Sequence, residues 1–143
     1  EGVRQDYSKA VQWYEKAASQ GHAGAQNLLG GMYYLGEGVR QDYSKAVSWL
    51  EKAANQGNTH AQGMLGEMYY DGKGVRQDYS KAVSWLEKAA NQGNANAQGM
   101  LGAMYYAGRG VRQNYAVAKE WFGKSCDNGN QNGCDAYRTL NKR

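Results

Sequence analysis

Residues 37–72 read EGVRQDYSKAVSWLEKAANQGNTHAQGMLGEMYYDG, and residues 73–108 repeat this stretch at 31 of 36 positions. The phrase Gly-Val-Arg-Gln begins again at Gly2 and Gly110, so the period of 36 residues divides the chain into repeats 1–36, 37–72, 73–108 and 109–143. We number the positions within a repeat as slots, beginning with slot 1 at Glu1. A period of this length indicates a solenoid of stacked helix pairs and argues against a globule with one enzyme cleft.

The first half of each repeat has the pattern of an amphipathic helix from about slot 7 to slot 20. At about 100° per residue one face of this helix in repeat 2 is apolar; it holds Tyr43, Ala46, Val47, Trp49, Leu50, Ala53 and Ala54. We therefore expect the tryptophans of slot 13 to lie mostly in the core. The expected N-caps are Asp6, Asp42, Asp78 and Asn114. The glycines that should end these helices are Gly21, Gly57, Gly93 and Gly129.

The second half of each repeat predicts another helix, over about slots 22 to 34, as from Asn58 to Tyr70. Its buried stripe should consist of Ala61, Met64, Leu65, Met68 and Tyr69. Gly66 lies beside that stripe, where the lack of a side chain would let a neighbouring helix approach closely. The chain has no strand pattern, so we expect an all-α fold.

Two phrases carry a family resemblance, namely AQGMLGEMY at residues 61–69 and DYSKAVSWLEKAA at residues 78–90. They resemble the Sel1-like repeat (SLR) family, whose members are related to tetratricopeptide repeats. The resemblance covers nearly the whole chain and implies a right-handed α-solenoid of antiparallel helix pairs, with residues 1–143 as a single repeat domain. The family counts its repeat from the Ala-Gln-x-x-Leu-Gly helix, so we expect upstream sequence to be missing from the N-terminus. Polar Arg138, Asn141 and Lys142 replace Gly, Tyr and Tyr of the earlier repeats, which predicts that the last repeat is a C-terminal cap.

Both cysteines lie in the last repeat. Cys126 takes a slot that is alanine in the other repeats, Cys134 takes one that is glutamine, and the two helices that carry them are joined by a tight turn. This arrangement allows a disulfide and with it an oxidising compartment, while two reduced thiols in a cytosolic protein remain the alternative. The spacing resembles that of the cysteine-rich secreted SLR proteins, the Hcp family, in which every repeat carries the pair. That partial likeness implies a periplasmic or secreted bacterial protein.

Repeats 2 and 3 differ at slots 1, 23, 24, 31 and 35, whereas the polar face of their first helices is identical. Slots 24, 31 and 35 share one face of the second helix, and slot 27, which differs in repeat 1, joins them. In the families named above this helix lines a concave surface that commonly binds partners. Carried over, the resemblance implies partner-binding residues at Asn27, Tyr34, His60, Glu67, Tyr70, Asp71, Asn96 and Tyr106. Each second tyrosine could instead simply pack against the neighbouring repeat.

Most other functions find no support in the sequence. His22 and His60 have no cysteine or carboxylate at metal spacing, and no phosphate-binding loop follows a strand, so we expect no metal and no cofactor. The formal net charge of +4 is not arranged as a basic stripe, and no apolar run could cross a membrane, which argues against nucleic acid and membrane insertion. We therefore expect a non-catalytic scaffold that binds a protein or peptide partner.

The resemblance leaves alternatives open. Some Hcp-like proteins bind β-lactam or peptidoglycan fragments or hydrolyse β-lactams weakly, although this chain has no Ser-x-x-Lys nucleophile motif. Other SLR proteins are immunity partners of secreted toxins.

Overall fold

The computed structural model describes residues 2–142, with side chains from Asp6 onward. This part of the chain forms eight α-helices and no strand, which confirms the all-α architecture. The helices are α1 (Gly2–Ser19), α2 (Ala23–Leu35), α3 (Tyr43–Asn55), α4 (Thr59–Asp71), α5 (Tyr79–Asn91), α6 (Ala95–Ala107), α7 (Tyr115–Asp127) and α8 (Gln131–Asn141).

The chain divides into two compact parts. The N-terminal half ends at Gln77 and contains α1 to α4, and the C-terminal half begins at Asp78 and contains α5 to α8. Within each half, every helix packs against the next one along the chain. Each half is therefore a run of consecutive helix pairs, as the repeat period predicts.

The helix ends follow from capping chemistry. Asp42 and Asp78 accept hydrogen bonds from the backbone N–H groups of Lys45 and Lys81, as expected of N-caps. The glycines after the first helices have φ between +92° and +96°, a left-handed conformation that a side chain would strain; they are Gly21, Gly57, Gly93 and Gly129. The second helices are capped at their starts by His22, Asn58, Asn94 and Asn130.

Close contact between helices depends on small residues at slot 30. In the N-terminal half the core side chains Leu29, Leu50 and Leu65 are fully buried. A Cβ atom at Gly30 would lie 2.7 Å from Leu50 Cγ, so only glycine lets α2 and α3 approach this closely. Gly102 meets the ring of Phe122 at the same 2.7 Å in the C-terminal half. The glycines at slot 30 therefore let neighbouring helices approach closely, which is the role that we expected of Gly66.

The start of the chain departs from the prediction. Asp6 was expected to cap a helix, but α1 begins at Gly2 and includes Asp6. In repeat 2 the equivalent segment is held out of the helix by bonds to the preceding helix, in which Asp42 N–H donates to Tyr33 O and Gln41 Nε2 donates to Tyr34 O. No helix of the described chain precedes residues 2–6, so these residues bond within α1 instead.

The prediction that the tryptophans lie in the core was wrong. Trp13 is 72% exposed, and Trp49, Trp85 and Trp121 are only partly buried. Alanine and leucine side chains fill the helix interface instead. A lysine three residues further along the helix lies over each of the three partly buried rings. For example, Lys52 Nζ is 4.7 Å from the centroid of the Trp49 ring. Each of these three indole rings therefore meets a cation at the helix surface.

Candidate functional site

The face proposed for partner binding lies on the second helix of each pair, and we call its residues at slots 24, 27, 31, 34 and 35 the variable face. The changes between repeats 2 and 3 at slots 24, 31 and 35 all fall on exposed residues: His60, Glu67, Asp71, Asn96, Ala103 and Ala107. Because these side chains are exposed, the core does not dictate their identity. The sequence differences therefore lie where a partner could reach them.

Asn27 and His60 are brought together in the N-terminal half. Asn27 lies on α2 and His60 on α4, and His60 Nδ1 is hydrogen-bonded to Asn27 Oδ1 at 3.0 Å. These residues occupy slots 27 and 24 of successive repeats. The variable faces of α2 and α4 are therefore adjacent, as the solenoid resemblance implied.

Contacts with two neighbouring side chains hold the Tyr34 side chain in place. Its ring centroid lies 5.1 Å from that of Tyr43, and Lys73 Nζ donates to its hydroxyl at 3.2 Å. Lys73 also lies over both rings, 5.6 Å from the Tyr34 centroid and 5.8 Å from that of Tyr43. Tyr34 thus packs against the next repeat, which was the alternative reading of the tyrosines, and still presents part of its surface.

Sequence reasoning missed Lys73. It occupies slot 1, one of the five slots that differ between repeats 2 and 3, which is glutamate in repeats 1 and 2 and basic in repeats 3 and 4. The same slot in the C-terminal half holds Arg109, whose guanidinium carbon is 5.8 Å from the Tyr79 centroid. The signal in the sequence was the basic residue at slot 1 of repeats 3 and 4, together with the tyrosines that recur at slots 7 and 34. These residue types can form cation–π contacts.

An acidic pair lies on α4. Burial of its carboxyl among neighbouring atoms raises the pKa of Glu67, although much of the side-chain surface remains exposed, and the charge of Asp71 raises this pKa further. His60 and Lys73 oppose both effects by stabilising the carboxylate. Tyr70, between them in sequence, is half-buried, and its carbonyl accepts a hydrogen bond from Gln77 Nε2 at 3.1 Å.

In the C-terminal half, Asn96 and Tyr106 are exposed on α6. The Tyr106 ring packs on Tyr115 with centroids 5.1 Å apart, the arrangement of Tyr34 on Tyr43. The variable face of α6 carries no charged side chain, in contrast to that of α4; it consists of Asn96, Gly99, Ala103, Tyr106 and Ala107. The two halves therefore offer different chemistry.

The cysteines are bonded to each other. Cys126 at the end of α7 and Cys134 in α8 form a disulfide with Cα atoms 4.4 Å apart. In repeats 1 to 3 the same two slots hold alanine and a buried glutamine, and the glutamine Nε2 donates to the alanine carbonyl. In repeat 1 this bond joins Gln26 to Ala18 over 3.1 Å. The disulfide therefore replaces a hydrogen bond that ties the two helices of a pair.

Other kinds of site find little support among the described residues. From residue 2 to residue 142, no group of three or more His, Cys, Asp or Glu side chains is placed to hold a metal ion. His22, the other histidine, caps α2 through an Nδ1 that accepts from Ala25 N–H. No helix in the described part of the chain is long and apolar enough to span a bilayer.

Comparisons with known proteins agree with this architecture. The family model of the Sel1 repeat matches residues 1–22, 23–58, 59–94 and 95–130. No curated protein matches the sequence. Among solved structures, a protective antigen of uropathogenic Escherichia coli strains with an SLR fold is 43% identical, with a TM-score of 0.84, over 86% of this chain and 26% of that one.

Two further structures are similar. A Sel1 repeat protein from Oxalobacter formigenes is 33% identical, with a TM-score of 0.84, over 90% of this chain and 51% of that one. Cysteine rich protein B of Helicobacter pylori is 28% identical, with a TM-score of 0.72, over 93% of this chain and 96% of that one. This chain thus spans about a quarter and about half of the first two proteins.

The solenoid class predicted from the sequence is the fold of these structures. Sel1 repeats commonly mediate protein–protein interaction. The matches to the family model cover more than half of the sequence. The chain therefore belongs to the Sel1 repeat family.

Proposed function

We propose that the chain is a non-catalytic scaffold that binds a protein or peptide partner through its variable face. The observation that carries this proposal is that the residues changing at slots 24, 31 and 35 between two nearly identical repeats are all exposed. The outward polar face of the first helices is equally exposed and does not change. A difference confined to one of two exposed faces is typical of a surface under selection for recognition.

In the N-terminal half the variable face suits a basic group. Glu67 and Asp71 lie one helical turn apart on α4, and the repulsion from the Asp71 charge raises the pKa of Glu67. A lysine or arginine of a partner placed between them would relieve that repulsion and lower the pKa of Glu67. Binding would then release protons, so affinity should rise with pH through the range in which Glu67 titrates.

The rest of this face supplies contact area and orientation. Tyr34 is fixed by Tyr43 and Lys73, so little side-chain entropy remains to be lost when a partner packs on it. The hydrogen bond between Asn27 and His60 likewise fixes two polar side chains beside the acidic pair. Pre-organised aromatic and polar groups of this kind are typical of recognition surfaces.

We further propose that the protein acts in the periplasm or outside a bacterial cell. The bond between Cys126 and Cys134 supports this location, because disulfides persist in oxidising compartments. The similarity to a cysteine-rich protein of Helicobacter pylori points the same way.

Site-specific photo-crosslinking in a bacterial cell-envelope extract tests the proposal. A photoreactive residue at His60 leaves Glu67 and Asp71 intact, and a matched probe at Lys52 reports on the unchanging face of α3. We expect a discrete product from His60 alone, weakened by the Glu67→Gln and Asp71→Asn double variant. Products from both probes, or from neither, would contradict a binding surface on the variable face.

A chromogenic β-lactam assay separates the scaffold from the hydrolase alternative. We expect no turnover above buffer. Turnover that disappears when one residue is mutated would overturn the non-catalytic proposal.

A further inference from the structure

The turn between α7 and α8 contains a pair of residues that the corresponding turns of the other repeats lack. Slot 20 is glutamine in repeats 1 to 3, but it is Asn128 in repeat 4. Gly129 follows it with φ of +96°, and because this left-handed conformation favours glycine, a glycine recurs at slot 21 of every repeat. In this position, therefore, only repeat 4 places an asparagine directly before a glycine.

An asparagine that precedes glycine can lose its side-chain amide without an enzyme. The backbone nitrogen of the glycine attacks the asparagine Cγ and forms a C–N bond, and the side-chain nitrogen leaves as ammonia together with the proton of the N–H group. Water then opens the resulting five-membered succinimide and gives aspartate or isoaspartate. Glycine favours the attack because it has no Cβ atom in the way. Glutamine would have to close a six-membered ring, which is much slower, so slot 20 of repeats 1 to 3 does not share this chemistry.

The folded, oxidised chain holds the reacting groups of this turn in other contacts. Asn128 Nδ2 donates to Gln98 Oε1 at 2.9 Å, and Gly129 N–H donates to Cys126 O at 3.0 Å. Asn128 caps the end of α7 with ψ of 15°, and ring closure requires this angle to rotate well away from that value. Both hydrogen bonds must therefore break before the attack, so deamidation proceeds from a locally opened form of the turn.

The disulfide limits this opening. It encloses the turn residues 127–133 and joins Cα atoms that are 4.4 Å apart. Cys126, one of its two residues, also supplies the carbonyl that accepts from Gly129 N–H. A cross-link around a short loop reduces the number of conformations that the opened loop can adopt. The opened form is therefore less populated in the oxidised chain than in the reduced chain.

Deamidation of this turn would remove a hydrogen bond between repeats. Asn128 preserves the contact that Gln56 makes in the N-terminal half, where Gln56 Nε2 donates to Gln26 Oε1 at 2.9 Å. An aspartate or isoaspartate at residue 128 has no N–H group in its side chain, and its charge would face the acceptor oxygen of Gln98. Because Gln98 is buried, the loss of its donor is costly. Repeat 4 would then be held less firmly to repeat 3.

We propose that Asn128 is a deamidation site that the Cys126–Cys134 disulfide keeps closed, and that its conversion loosens the last repeat. This proposal goes beyond the proposed function, because it involves no residue of the variable face. Reduction opens the turn and permits the reaction. Since the ammonia is lost, later re-formation of the disulfide does not restore the amide.

A second Asn-Gly pair in the same loop serves as a reference. Asn132 lies in the first turn of α8, and its N–H group donates to Asn130 Oδ1 at 3.1 Å. Gly133 is buried, and a Cβ atom added to it would lie 2.7 Å from Ser125 Cβ. Rotation of this peptide requires α8 to unpack from α7. Asn132 should therefore react more slowly than Asn128 in the folded chain.

Peptide mapping by mass spectrometry tests the proposal. The full chain is incubated in a mildly alkaline buffer, once oxidised and once with a reductant, and the aspartate and isoaspartate at residues 128 and 132 are quantified over time. Water enriched in a heavy oxygen isotope marks the conversions that occur during incubation and not during digestion. We expect Asn128 to convert about 10-fold or more faster in the reduced chain than in the oxidised chain, and faster than Asn132 in both.

Three variants test the structural consequence. Asn128→Gln restores the residue of the other repeats, so it should abolish conversion at this position and keep the amide donor. Asn128→Asp reproduces the product and should raise the hydrogen-exchange rates of α7 and α8 amides by about 5-fold or more relative to Asn128→Gln. Asn132→Asp is the matched control: it adds the same charge in the first turn of a helix, where a negative charge is favourable, and should leave these rates unchanged or lower them.

Each contrary result overturns a stated part of the proposal. Equal conversion of Asn128 in the oxidised and reduced chains would refute control by the disulfide. Conversion of Asn132 as fast as that of Asn128 would refute opening of the turn as the limiting step. Exchange rates of Asn128→Asp equal to those of Asn128→Gln would refute the loosening of repeat 4.

Discussion

Removal of the disulfide should weaken the last helix pair by an amount that its short loop sets. The bond joins residues 8 apart in sequence, and chain entropy gives about 2.5 kcal/mol for a closed loop of this length. The double variant Cys126→Ala and Cys134→Ala should therefore be less stable than the oxidised chain by about 2.5 kcal/mol. Because the bond lies between α7 and α8, the loss should be felt first in α8.

The other repeats supply a matched second variant. Cys126→Ala with Cys134→Gln recreates the pair found at Ala18 and Gln26, in which the glutamine amide donates to the alanine carbonyl over 3.1 Å. A hydrogen bond of this kind contributes about 1 kcal/mol net. The Ala/Gln variant should thus recover about 1 kcal/mol of the loss seen in the Ala/Ala variant.

Urea unfolding followed by circular dichroism gives the stability of the whole chain, and amide hydrogen exchange in α8 gives the local value. The expected order is oxidised chain, then Ala/Gln, then Ala/Ala. An Ala/Gln variant no more stable than Ala/Ala would refute the argument that the disulfide replaces a hydrogen-bonded tie. A reduced chain as stable as the oxidised one would refute the entropy estimate.

Three further results are expected. Gly30→Ala should lower the free energy of unfolding by about 1–3 kcal/mol, because the added Cβ atom meets α3. Gly31→Ala has open space around the added Cβ atom, so it should raise the free energy of unfolding by up to about 1 kcal/mol in the same urea assay. The raised pKa of Glu67 makes its ionisation destabilising as pH rises, so Glu67→Gln should be more stable than the parent at pH 7 and equal to it well below pH 4.5; a parent more stable at pH 7 would contradict this. Trp49→Ala should cost about 1–3 kcal/mol, because this ring is partly buried, and Trp13→Ala less than about 1 kcal/mol, since Trp13 is 72% exposed; equal losses in thermal melts would contradict the assigned exposures.

The repeat made most of the fold predictable. Because each slot is seen several times, a glycine such as Gly57 or a cap such as Asp78 could be recognised by recurrence as well as by type. Their roles depend on local backbone chemistry, which the sequence contains in full. The pairing of Cys126 with Cys134 followed from the same logic, since the slots on either side of a tight turn lie close together.

The failures had a different origin. Asp6 has the sequence of a cap, but the cap conformation depends on hydrogen bonds to a preceding helix, and none precedes it in the described chain. Trp49 lies on the apolar face of a helical wheel, yet a wheel does not show how far a large ring extends beyond the interface. Both outcomes depend on tertiary contacts that periodicity does not encode.

The sequence predicted where the variable face lies, but it did not predict which side chains on that face contact each other. Its position on the second helices is consistent with the exposure of His60 and Glu67 and with the bond from His60 to Asn27. The contacts of Lys73 with Tyr34 could not be anticipated, because slot 1 and slot 34 of different repeats meet only after the helices stack. The binding residues themselves stay a prediction until a partner is trapped.

The buried glutamines give the array a direction. Gln26 donates through its Nε2 within its own repeat and accepts through its Oε1 from Gln56 of the next, and Gln98 likewise accepts from Asn128. The amide oxygen of each of these glutamines receives its hydrogen bond only from the repeat that follows. These contacts between repeats therefore run in one direction along the chain, from the N-terminal repeat to the next. Cys134 has no such oxygen, so the covalent tie of the last repeat offers its C-terminal side no acceptor at this slot. The exchange of an amide for a disulfide therefore fastens this helix pair and removes the acceptor that Gln26 and Gln98 offer to the repeat after them.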